Sequence, residues 1–151
     1  MVPLKSYRLF SYFGLLPFLI FTYQTWCGPI EHVHQFTRMF IAFSTCTLVF
    51  IGGCWWGISY TQSEEVKFKM MVIGLTFALT CALGVTAMIA LGGKPFMVIS
   101  LGLAHFLIWL LEFFIPKVPI KHNYRVQRTV LTMTIVVCHM LVATQFIDNQ
   151  I

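Results

Sequence analysis

Five apolar stretches make up most of this 151-residue chain, and each is long enough to cross a lipid bilayer as a helix. A helix rises about 1.5 Å per residue, so about 20 residues span a hydrocarbon core about 30 Å thick. The stretches cover residues 9–26, 39–60, 70–91, 95–115 and 129–147. Because a segment in lipid must satisfy its own backbone hydrogen bonds, these stretches are expected to be helical. The sequence therefore predicts an all-α fold, a polytopic membrane helix bundle with five transmembrane helices, in a single domain over residues 1–151.

The positive charges fall mostly on one side of the membrane that these segments would cross. Of the 10 Lys and Arg residues, only Arg38 and Lys94 fall on the other side. The larger group contains Lys5, Arg8, Lys67, Lys69, Lys117, Lys121, Arg125 and Arg128. Since cytoplasmic loops carry an excess of Lys and Arg, this distribution predicts an N-terminus inside and a C-terminus outside.

The net charge of +5 does not indicate a nucleic-acid partner. The basic residues are divided among short loops that flank apolar segments, and the aromatic residues that could stack on bases lie within those segments. We therefore expect the lipid bilayer and membrane-protein subunits as partners. An Arg- and Ser-rich transit sequence is not recognisable, which favours a bacterial inner (plasma) membrane, with the mitochondrial inner membrane as the alternative.

Small residues recur at helical spacing in the second and third segments. The second segment contains Gly53 and Gly57, and the third contains Gly74, Ala78 and Ala82. Small side chains let two helix backbones approach closely, which drives packing in lipid. The favoured interpretation is packing within the chain, and the alternative is an interface with another subunit.

Three ionisable residues lie within the last two segments. His105 and His139 each fall near the middle of a segment, so antiparallel helices would bring them to the same depth. Glu112 shares a helix face with His105, near the end of the fourth segment. Because ionisable groups are costly in lipid, we expect these side chains to face the bundle interior and to have partners. The adjacent inner rim is basic and contains Lys121, Arg125 and Arg128.

Three interpretations of these residues remain open. The favoured one has neutral histidines hydrogen-bonded between helices, with Glu112 paired to Arg125 or Arg128. The second is a proton or small-solute path along His139, His105 and Glu112. The third is axial ligation of haem b by the two histidines. The sequence contains no complete catalytic set or metal-binding motif, so we expect neither catalysis nor a bound metal, and no cofactor unless haem is present.

Three stretches of the sequence resemble a known family. They are Tyr12–Phe18, Phe50–Gly57 and Tyr124–Thr132, in that order. The chain is similar to the domain of unknown function 3429 family, which includes transmembrane protein 69. The resemblance implies a compact five-pass inner-membrane protein. Members often carry an Asp where this chain has Glu112, and the family has no established activity.

The most economical functional hypothesis is a non-catalytic integral membrane protein. Its small size, its short loops and its small-residue stripes suit an accessory or assembly subunit of a larger inner-membrane complex, such as a respiratory complex. The alternative is a small proton or solute transporter that uses His105, Glu112 and His139. The third hypothesis is a haem- or quinone-binding redox subunit.

Overall fold

The computed structural model describes residues 12–91, 95–114 and 122–148, and these residues contain five α-helices and no strand. The helices are α1 (Leu16–Cys27), α2 (Val33–Ser59), α3 (Glu64–Leu91), α4 (Pro95–Phe114) and α5 (His122–Asp148). A short 3₁₀ turn, Ile30–His32, joins α1 to α2. The predicted all-α fold is confirmed. Helices α2, α3 and α5 begin before their apolar stretches because a helix can continue into the polar interface without breaking its backbone hydrogen bonds.

The first helix is shorter than the apolar stretch that contains it. Gly14 and Leu15 form a turn ahead of α1, and Pro17 lies in the first turn, where its missing N–H leaves no bond unmade. Tyr12 and Phe13, just before this turn, are also helical, so the turn interrupts the helical structure of the first apolar stretch. The 12 residues of α1 rise about 18 Å, less than the thickness of a bilayer core. Residues 9–11 of the predicted segment lie outside the described residues.

Three of the described helical stretches are long and apolar enough to cross a membrane. They are Ile30–Ser59, Glu64–Gly84 and Tyr124–Gln145, while the apolar part of α4, Phe96–Glu112, is shorter. Large apolar side chains are also exposed, as with Leu83 at 68%. Contiguous apolar surface of this kind is stable where lipid covers it, so these helices have the character of a membrane protein.

Helix α2 lies at the centre of the bundle and contributes to both of its apolar clusters. The first cluster joins α1, α2, α4 and α5 around Phe18, Phe40 and Val98. The second joins α2, α3 and α4 around Leu48 and Ile108. Because α2 contacts each of the other four described helices, its faces determine where those helices lie.

The contact between α2 and α3 depends on Gly52 and Gly74. A Cβ added to Gly52 would lie 2.7 Å from the Gly74 carbonyl oxygen, and one added to Gly74 would lie 2.6 Å from the Gly52 carbonyl oxygen. Ala78 continues this contact, whereas Ala82 is exposed. Any side chain larger than hydrogen at either glycine would push the helices apart.

Gly53 and Gly57, which the spacing predicted to pack within the chain, face away from this contact. A Cβ added to either residue would meet no described atom within 4 Å. Successive residues of a helix point about 100° apart, so the α3 contact falls on Gly52 and leaves its neighbour Gly53 open.

We expect Gly52→Ala to destabilise the bundle by about 1–3 kcal/mol, because the added methyl group overlaps a backbone carbonyl that cannot move without separating the helices. Gly53→Ala is the matched control, and its methyl group meets open space. Unfolding of the purified chain in mixed micelles, followed by circular dichroism, measures both free energies. Equal effects of the two substitutions would contradict the assigned contact.

Candidate functional site

The hydroxyl group of Ser44 lies between two histidine rings in the middle of the bundle. Its Oγ is 3.1 Å from Nε2 of His105 and 2.8 Å from Nε2 of His139. These residues belong to α2, α4 and α5, and their exposures are 0%, 2% and 1%. The ring centroids of the two histidines are 5.4 Å apart. The structure thus brings His105 and His139 together and adds Ser44, which sequence reasoning missed.

The direction of each hydrogen bond in this cluster follows from one backbone contact. Nδ1 of His139 lies 2.8 Å from the Ile135 carbonyl oxygen, which can only accept, so Nδ1 carries a proton. With both rings neutral, Nε2 of His139 then accepts from the Ser44 hydroxyl group. That hydroxyl group has a single proton, so its oxygen accepts from the Nε2–H of His105. The four groups form one chain of hydrogen bonds that runs in a single direction.

Aromatic side chains enclose this cluster. Phe18 of α1 packs against both histidines, with ring centroids 6.0 Å and 5.9 Å away, and Phe40 lies 4.7 Å from His139. On the other side, Gly102 makes room for the imidazole, because a Cβ there would lie 2.9 Å from Cβ of His139. The cluster is therefore sealed in apolar surroundings, where a hydrogen bond is strong and an unpaired polar group is costly.

A second polar cluster joins the same three helices nearer the end of α4. Nε of Arg128 lies 3.2 Å from both carboxylate oxygens of Glu112. The indole N–H of Trp55 donates to the same carboxylate over 3.2 Å. The Arg and Glu side chains are 14% and 12% exposed. Of the three basic residues predicted near Glu112, Arg128 is thus its partner, while Arg125 is exposed and Lys121 lies outside the described residues.

Apolar side chains separate the two polar clusters. Glu112 lies about 10 Å along α4 from His105, at 1.5 Å per residue. Between these positions α4 contributes Ile108 and α2 contributes Leu48, both fully buried. These two side chains belong to the same apolar cluster. Glu112 and the histidines are therefore distinct sites, and the described contacts do not connect them by hydrogen bonds.

The histidine cluster does not fit haem ligation. Both Nε2 atoms point at the Ser44 hydroxyl group, so an iron atom would have to take the place of that oxygen. The porphyrin would also need space that Phe18 and Phe40 fill. Among the residues that the structure describes, no group of three or more His, Cys, Asp or Glu side chains is placed to hold a metal ion.

The contact between Ser44 and His139 has the length of a nucleophile and base pair, but its surroundings favour a structural role. A catalytic serine must reach a substrate, and Ser44 is fully buried behind Phe18 and Phe40. The second ring nitrogen of His139 is held by a backbone carbonyl within its own helix. The hydrogen bonds of Ser44 therefore join three helices, and its hydroxyl group is not exposed to a substrate.

We expect Ser44→Ala to lower the free energy of unfolding by about 1–3 kcal/mol, because it removes the partner of both Nε2 atoms in a sealed site. Thr45→Val is the matched control, since the Thr45 hydroxyl group donates to the Ile41 carbonyl of its own helix and bonds no other described helix. Unfolding in mixed micelles measures the difference. If Thr45→Val cost as much as Ser44→Ala, the shared hydroxyl group would have no special role.

Comparison with known proteins places the chain in a family. The family model described as "Protein of unknown function (DUF3429)" matches residues 3–144, which include the three stretches that carry the sequence resemblance. No curated protein and no solved structure matches the chain. Because the match covers most of the chain, including nearly all of the helical bundle, this protein belongs to the DUF3429 family of proteins of unknown function.

Proposed function

We propose that this protein is a non-catalytic five-pass protein of a bacterial inner membrane and acts as an accessory or assembly subunit of a larger membrane complex. The observation that carries the proposal is an open face of α2, which we call the glycine face: Phe50, Gly53, Gly57 and Tyr60. Both glycines lack a described neighbour for an added Cβ, while both aromatic side chains are exposed.

The shape of the glycine face suits a second helix. Gly53 and Gly57 are one helical turn apart, and the exposed rings of Phe50 and Tyr60 stand on either side of them. Such a depression lets another backbone approach closely, which is the main source of helix association in lipid. Within the chain, α3 uses the adjacent Gly52, so the glycine face remains available to a partner.

The ends of the bundle support the predicted orientation. The contact of Trp55 with Glu112 and Arg128 places the end of α2 and the start of α5 at the same end of the bundle. Lys67 and Lys69, which follow α2 closely, lie at that end. The opposite end is marked by the indole N–H of Trp26, which donates to the Leu141 carbonyl. Most described cations thus share one end, as in a cytoplasmic face.

The other two functional hypotheses have less support. A proton path needs polar groups within hydrogen-bonding reach of one another, and Leu48 and Ile108 stand between His105 and Glu112. A haem subunit needs histidine nitrogens directed at a cofactor, whereas here both are directed at Ser44. The two buried polar clusters are best explained as hydrogen bonds that stabilise the packing of α2, α4 and α5.

The test is purification of the tagged full chain from its membrane in a mild detergent. We expect a stoichiometric membrane-protein partner with the native chain and loss of that partner in Gly57→Leu, with the free energy of unfolding of the chain unchanged. Gly84→Leu is the matched control, because a Cβ there also meets no described atom within 4 Å but lies on α3. Purification as a stable monomer without partners, or retention of the partner by Gly57→Leu, would contradict the proposal.

A further inference from the structure

A lateral cleft of about 540 Å³ opens between α2 and α5 on the side where α1 begins. Its volume falls within the range of small-molecule sites, about 300–1,000 Å³. Gly14 and Leu15 line one end of the cleft.

The length of the cleft matches one leaflet of a bilayer. Along α5 it extends from Tyr124 to Ile135, a rise of about 16 Å. Half of a hydrocarbon core is about 15 Å. Its deep end lies beside the buried histidine cluster, since Ile135 is one helical turn from His139. Phe43, Phe50 and Leu131 line the walls, so the interior is apolar.

The shallow end of the cleft is polar and contains the ion pair of Arg128 with Glu112. Tyr124, Gln127 and Arg128 line it, and Glu112 is its only acidic lining residue among the described side chains. Arg125 is exposed at the same end of α5. A guanidinium group has five N–H donors and matches the geometry of a phosphate group.

We propose that this cleft binds one anionic phospholipid from the leaflet on the basic side of the membrane. The phosphate group lies beside Arg128 and the hydroxyl group of Tyr124, and one acyl chain runs between α2 and α5 toward Phe43 and Ile135. Arg125 and Arg128 outnumber the single carboxylate of Glu112 among the described side chains at this end of α5, which favours an anionic headgroup over a zwitterionic one. This inference rests on the proposed membrane-spanning arrangement, but it requires no partner subunit.

The experiment is native mass spectrometry of the purified full chain in micelles that contain equal amounts of phosphatidylglycerol and phosphatidylcholine. We expect one phosphatidylglycerol per chain to be retained in preference to phosphatidylcholine. Cys54→Trp fills the cleft, which Cys54 lines, and should abolish retention. Leu83→Trp places the same bulk on the exposed surface of α3 and should preserve it.

Tyr124→Phe is the second variant and serves if Cys54→Trp does not fold. It removes a donor to the phosphate group without adding bulk, so the affinity for phosphatidylglycerol should fall roughly tenfold. Equal retention of the two lipids, unchanged retention by Cys54→Trp or an unchanged affinity for phosphatidylglycerol in Tyr124→Phe would overturn the proposal. So would a retained prenylquinone in place of phospholipid, or no retained lipid at all. Lipid retention is measured on the purified chain without a partner. Failure of the lipid proposal is therefore distinguishable from failure to co-purify a partner subunit.

Discussion

The bundle depends on a single hydroxyl group that satisfies two buried histidines. A neutral imidazole loses its hydrogen bonds to water on burial, and that loss is tolerable only where a protein group replaces them. Ser44 does so for His105 and His139 at once, which requires α2, α4 and α5 to hold one rotation and one register. The contact of Trp55 and Arg128 with Glu112 imposes the same requirement about two turns away. Sliding any of the three helices would break both clusters.

Because the buried histidines and Glu112 bond to groups of the bundle itself, they are not free to bind other molecules. His105 and His139 are directed at Ser44, and the carboxylate of Glu112 is held by Arg128 and Trp55. The features left for other molecules are apolar or lie at the membrane rim: the glycine face of α2 and the lateral cleft beside α5. Because the buried histidines and the Glu112 carboxylate bond to groups within the bundle, these two surfaces are the basis of the proposals that other membrane components bind here.

Sequence reasoning could find the buried histidines, because ionisable residues in apolar segments are rare and must face inward. It could not find Ser44, since a serine within a helix commonly bonds its own backbone, as Thr45 does with the Ile41 carbonyl. It also could not distinguish Gly52 from Gly53. Adjacent residues on a helix differ in direction by about 100°, and only the position of α3 decides which of them is packed.

The tautomers of the two histidines test the central cluster most directly. In a long-range ¹H–¹⁵N spectrum of the ¹⁵N-histidine-labelled chain in micelles at neutral pH, both rings should be neutral. The His139 ring should carry its proton on Nδ1, bonded to the Ile135 carbonyl, and the His105 ring on Nε2, bonded to Ser44. The same tautomer in both rings, or an imidazolium at either, would contradict the account that one shared hydroxyl group joins the three helices.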